Sequence, residues 1–67
     1  MNNIDHRRSE TAARILDYLR TEQRSSLTGI ARAFGFKPQR VLMQLYNLRA
    51  AGKVRRISLG MYEFIND

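Results

Sequence analysis

The chain has 67 residues, no cysteine, and twelve basic residues against six acidic ones, for a formal charge of +6. That length holds one domain with a small core, and the lack of cysteine excludes disulfides and thiolate metal sites. No signal peptide and no bilayer-length apolar run is visible, so the expectation is a soluble, cytoplasmic protein with no membrane partner.

Met1 to Arg8 is polar and has no periodicity, and residues 1-8 read as a flexible N-terminal tail. Arg7 and Arg8 make it a basic arm, and the lone His6 reads as a solvated side chain rather than a metal ligand. A first helix is predicted from Ser9 or Glu10, with Ser9 as N-cap and Glu10 at the positive end of the helix dipole. Ala12, Ile15, Leu16 and Leu19 recur at i, i+3, i+4 and i+7 and form its core stripe, with Tyr18 beside it. The helix fades near Glu22, and Gln23 to Ser26 reads as a polar loop. Leu27 then anchors a short second helix with Thr28 as N-cap. Ile30, Ala31 and Phe34 face inward, Gly35 closes the helix, and Phe36 plugs the turn that follows.

The stretch Gly35 to Gly52 organises the rest. Pro38 suits the first helical position, where a missing N–H costs nothing. Gly52 suits the left-handed residue just past the end. Between them Val41, Leu45 and Leu48 make one apolar stripe, and Leu42 on its flank is expected to be covered by the first helix or the hairpin. The opposite face carries Gln39, Arg40, Met43, Tyr46, Asn47 and Ala50. Lys37 is a poor N-cap by type, which leaves its side chain free to reach a phosphate. Two short runs follow, Lys53 to Ser58 and Met61 to Ile65, joined through Leu59-Gly60 as a tight hairpin. Val54, Tyr62 and Phe64 are expected to close the core. The fold class is α+β, mainly α: three helices followed by a two-stranded β-hairpin wing, a winged helix-turn-helix over residues 9-67.

Charge is unevenly placed. No Asp or Glu occurs from Gln23 to Tyr62, a span holding Arg24, Arg32, Lys37, Arg40, Arg49, Lys53, Arg55 and Arg56. A one-sign block of this length sets up a positive field that attracts phosphate or an acidic partner. Lys37, Arg40, Lys53, Arg55 and Arg56, with Arg32 as a further candidate, are expected to neutralise phosphates. Gln39, Arg40 and Asn47 are expected to read base edges, because amides pair with adenine and arginine with guanine; Gln44 ranks below them because it lies nearer the core side of the helix. Met43 fits the same surface through apolar contact with thymine methyls.

At I-A-R-A-F-G-F-K-P-Q-R-V-L-M-Q-L-Y-N-L-R-A-A-G-K-V-R-R the chain resembles small bacterial or phage winged-helix transcription regulators over about Ser9 to Phe64. The resemblance implies a reading helix over residues 38–51 in the major groove and a wing over residues 53–65 on the backbone. The spacing of R-I-L-D-Y-L and L-Y-N-L-R-A-A-G-K-V is also similar to the Zα domains, which bind left-handed nucleic acid. There Tyr46 matches the family's helix tyrosine. The family's asparagine falls on Leu42, its helix-start lysine on Pro38 beside Lys37, and its wing tryptophan at best on Tyr62.

Double-stranded DNA is thus the expected partner, with a homodimer or a co-binding protein completing the site. A nucleoid-associated location would follow. Other classes stay open: a Z-form or RNA duplex binder, or a winged-helix protein-interaction module, including a phage or plasmid inhibitor of a host protein. Met43, Tyr46, Leu59 and Met61 would form that protein interface. No enzyme is expected, since the chain lacks a nucleophile–base pair, a carboxylate pair and a Gly-rich phosphate loop. No cofactor, metal or small-molecule ligand is expected either.

Overall fold

Between Asn3 and Glu22 the sequence contains neither Gly nor Pro, and in the computed structural model it forms one helix, α1 (Asn3–Glu22). The structure describes the backbone of residues 3–66 and the side chains of residues 10–66. Within the expected tail, residues 3–8 have helical backbone, so Ser9 lies inside the helix rather than at its N-cap. Nothing in the run before Ser9 breaks a helix. The readings of Met1, Asn2 and the side chains of His6, Arg7 and Arg8 lie outside the described residues. Further along, Ile15 and Leu19 are fully buried, with Ala12, Leu16 and Tyr18 packed at the margin of the core. Gln23 ends the helix with φ 72, and its N–H bonds to the Leu19 carbonyl at 2.7 Å.

The expected loop Gln23–Ser26 is in fact largely a strand, β1 (Arg24–Ser26). It is polar and three residues long, and it owes its form to pairing with a strand far along the chain. Helix α2 (Leu27–Phe34) starts two residues earlier than Thr28 as N-cap would allow. Ser26 is the N-cap, and its hydroxyl accepts from the Gly29 N–H at 2.9 Å. Gly29 is small for a local reason, because a Cβ there would meet both Ser25 Oγ and Ser26 Oγ at 3.0 Å. Gly35 ends α2 at φ 69, the left-handed conformation that glycine adopts without a Cβ penalty.

Helix α3 (Pro38–Ala50) follows after a three-residue connection, with Pro38 at its start and Lys37 making no side-chain cap bond. Val41, Leu45 and Leu48 are buried, as their spacing implied. Strands β2 (Val54–Ser58) and β3 (Met61–Phe64) form the hairpin. The sheet has three antiparallel strands in the order β1-β3-β2. Val54 pairs with Phe64, Arg55 with Glu63 and Arg56 with Tyr62, and a bulge at Ile57 shifts the register before Ser58 meets Met61. On the other side Arg24 pairs with Glu63, Ser25 with Tyr62 and Ser26 with Met61.

The core gathers Ile15, Leu19, Ile30, Ala31, Val41, Leu45, Leu48, Val54 and Tyr62, so every element except β1 places at least one buried hydrophobic side chain in it. Each large aliphatic among them contributes about 2 kcal/mol relative to exposure. The layout is three helices followed by a small antiparallel sheet, mainly helical and compatible with a winged helix. Among the described residues no helix is long and apolar enough to cross a membrane.

Candidate nucleic-acid interface

Helix α3 has two faces with different occupants. The core face ends in Gln44, which is 9% exposed although its type is polar. Gln44 falls three residues after Val41 and four before Leu48, within the buried arc, so its expected place among base-reading side chains is not supported by the fold. The outer face exposes Gln39, Leu42, Met43, Tyr46, Asn47, Arg49 and Ala50. Leu42 was expected to be covered, yet it is 44% exposed, because it lies near the limit of the apolar arc. Met43 is 63% and Tyr46 69% exposed. Shallow depressions mark this surface, one bounded by Arg40, Met43, Gln44 and Asn47, another by Tyr46, Arg49 and Ala50.

Arg40 is built into a larger contact. Its Nη2 donates to Thr11 Oγ1 at 3.2 Å, and its guanidinium carbon lies 4.4 Å from the centre of the Phe36 ring. Phe36 stacks on Phe34 with centroids 5.5 Å apart and planes at 16°. Tyr18 meets Phe34 edge-on at 5.5 Å, and Arg14 lies over the same ring at 5.2 Å. These contacts join α1, the end of α2, the turn and the first part of α3. A cation over a ring face gains about 0.5–1 kcal/mol at exposed sites, and an aromatic pair about as much again. Arg40 is therefore drawn to the α1 side of α3 and held there. Spacing alone shows the Phe34-Gly35-Phe36 pair at the turn, but Thr11 and Arg14 reach it only through the fold.

The hairpin divides its two adjacent arginines. Side chains alternate across a strand. Val54 and Tyr62 are buried, and Arg56, two residues after Val54 and opposite Tyr62, shares their helix-side face of the sheet. Arg55 is on the other face, where its Nη2 lies 2.8 Å and its Nε 2.9 Å from Glu63 Oε1. Arg24 approaches Glu63 Oε2 at 3.5 Å from the opposite strand. Glu63 is thus a carboxylate between two arginines, a role that the sequence reading missed. Its signal was present: it is the first acid after the long acid-free span, and a two-residue turn at Leu59-Gly60 already sets it opposite an arginine.

Lys37 and Lys53 lie at opposite ends of α3, roughly 20 Å apart at 1.5 Å per residue. Lys53 borders a groove with Leu16, Arg20 and Phe64. Arg32 is exposed in the last turn of α2. The fold thus brings Lys37, Gln39, Met43 and Asn47 onto the exposed surface of one helix, adds Arg56 on the helix-side face of the hairpin, and sets Arg55 and Lys53 apart from them. Among the described residues Lys37, Arg32, Arg49, Lys53 and Arg56 form no salt bridge.

Of the apolar candidates on the hairpin, Leu59 is 91% exposed at the turn and Met61 is half-buried. The hairpin turn does not project beyond β1, because the Leu27 N–H bonds to the Gly60 carbonyl at 2.8 Å. Tyr62, which the Zα resemblance aligns with a contact residue, is 3% exposed and belongs to the core. Among the described residues no three His, Cys, Asp or Glu side chains come together as a metal site would require. No protein-family model, no curated protein and no solved structure matches the chain.

Proposed function

We propose that the protein binds double-stranded DNA as a small winged-helix transcription regulator, with α3 in the major groove and the hairpin against the backbone. The observation that carries this reading is the outer face of α3. It has no carboxylate and is preceded by Lys37, and the one acid of the hairpin, Glu63, is turned to the far side of the sheet between two arginines. A polyanion approaching α3 and Arg56 therefore meets no opposing charge from the hairpin. The helix is long enough to lie along a groove, about 20 Å at thirteen residues. On this reading the chain is a binding module rather than an enzyme and works in the cytoplasm.

The test is binding to a labelled random-sequence duplex by fluorescence anisotropy at about 50 and 200 mM salt. Four phosphate contacts predict a fall of about a hundredfold in affinity across that range. Absence of binding at the lower salt would overturn the reading. A protein-docking face is the second reading, favoured by the exposure of Leu42, Met43 and Tyr46 on one helix. It predicts that Met43→Ala abolishes capture of a partner protein and leaves duplex affinity unchanged.

A further inference from the structure

We infer that α3 selects A·T base pairs, using the amides of Gln39 and Asn47 and the apolar groups of Met43 and Tyr46. The inference rests on the duplex-binding reading and narrows its target.

Four side chains form the outward stripe, Gln39, Met43, Tyr46 and Asn47, at i, i+4, i+7 and i+8 of α3. All four are exposed. Guanine is read chiefly by arginine or lysine paired with its O6 and N7. The arginine in the first turn of α3, Arg40, is held over Phe36 and bonded to Thr11, on the α1 side of the helix. Arg49, six residues after Met43, lies about 120° round the helix from it and so falls off the stripe. The four residues of the stripe carry no group with a preference for guanine, and Lys37, just before the helix, is left to the phosphates.

What it does offer matches the other pair. Each amide can bond adenine at N6 and N7 together. Met43, 63% exposed, presents apolar surface to the groove, and the apolar group displayed there is the thymine methyl. Tyr46 adds a ring edge beside it. Gln39 and Asn47 are eight residues apart, about 12 Å along the helix. At about 3.4 Å per base pair, the two adenines stand three to four base pairs apart. Thymine methyls between them fall under Met43. A protein partner would also cover Met43 and Tyr46, but the lack of carboxylates around the stripe favours a polyanion.

The experiment selects bound duplexes from a random pool, then compares the enriched duplex with the same sequence carrying deoxyuridine for thymine. Wild type, Gln39→Ala and Met43→Ala are measured on both. Both residues are exposed, so circular dichroism is expected to show the fold unchanged in each variant. The expected core is A·T over about four base pairs. Removing the methyls weakens wild type by about fourfold per contacted methyl. Met43→Ala binds the thymine and uracil duplexes equally. Gln39→Ala loses about tenfold and relaxes preference at one adenine alone. A G·C core, salt-sensitive binding with no motif, or wild-type indifference to uracil overturns the inference and leaves duplex binding standing. No duplex binding at low salt removes both. Loss of a protein partner in Met43→Ala with duplex affinity unchanged also overturns it.

Discussion

Helix α3 and the β2–β3 hairpin both carry adjacent or clustered cations in the sequence, yet the fold treats the two regions differently. On α3 no acid is present, and Arg40 is engaged by an aromatic ring and a hydroxyl, partners that leave its charge intact. On the hairpin Arg55 is paired with a carboxylate, which Arg24 also shares, and Arg56 alone keeps its charge on the helix side. A count of basic residues assigns the two regions similar fields. Register decides otherwise: one residue of alternation separates an arginine that forms no salt bridge among the described residues from one paired with Glu63.

The comparison can be broken at its foundation or sharpened at its edges. The largest effect is expected from Leu45→Ala, which empties a fully buried site under α3. A loss of about 3 kcal/mol in stability by urea denaturation is expected, with duplex affinity falling alongside it. Glu63→Gln releases Arg24 and Arg55 on the face of the hairpin turned away from Arg56, so duplex affinity is expected to rise by about twofold at most, while stability falls by about 1 kcal/mol or less. A rise of about tenfold would place that face against the backbone. Finer still is the neighbouring pair. Arg56→Ala is expected to flatten the logarithmic salt slope by about 0.9, and Arg55→Ala by less than half as much. Equal slopes for the two would erase the distinction drawn from register. The smallest effect belongs to Leu59→Ser at the exposed turn, where stability is expected to shift by less than about 0.5 kcal/mol and duplex affinity not at all.

Local chemistry made much of the fold legible. Pro38, the Val41, Leu45 and Leu48 stripe, and Gly52 bracket α3 closely, because each acts within one or two turns. Gly35 and the Leu59-Gly60 turn are legible for the same reason. Strand β1 was not, since Arg24-Ser25-Ser26 has neither alternation nor β-branched residues and is a strand only by virtue of β3. The choice between Ser26 and Thr28 as N-cap also depends on where that strand ends. In the site, the exposed stripe of Gln39, Met43 and Asn47 followed from helical spacing. The same spacing put Gln44 nearer the core side, and the fold buries it. The anchoring of Arg40 could not be read locally, because Thr11 stands on another helix.

The central place of β3 has a consequence for how the chain acquires its shape. β1 and β2 share no ladder, and each is paired only through Met61–Phe64. During synthesis neither can join a sheet until that segment emerges. The helices form through local contacts, which are fast, whereas β1 must await closure of a loop that contains both α2 and α3. The first N–H of α2, on Leu27, also waits, since its acceptor is the carbonyl of Gly60. The helix that supports α3 is therefore finished by a strand made well after it, and folding should show a fast helical phase followed by a slower one in which the sheet closes.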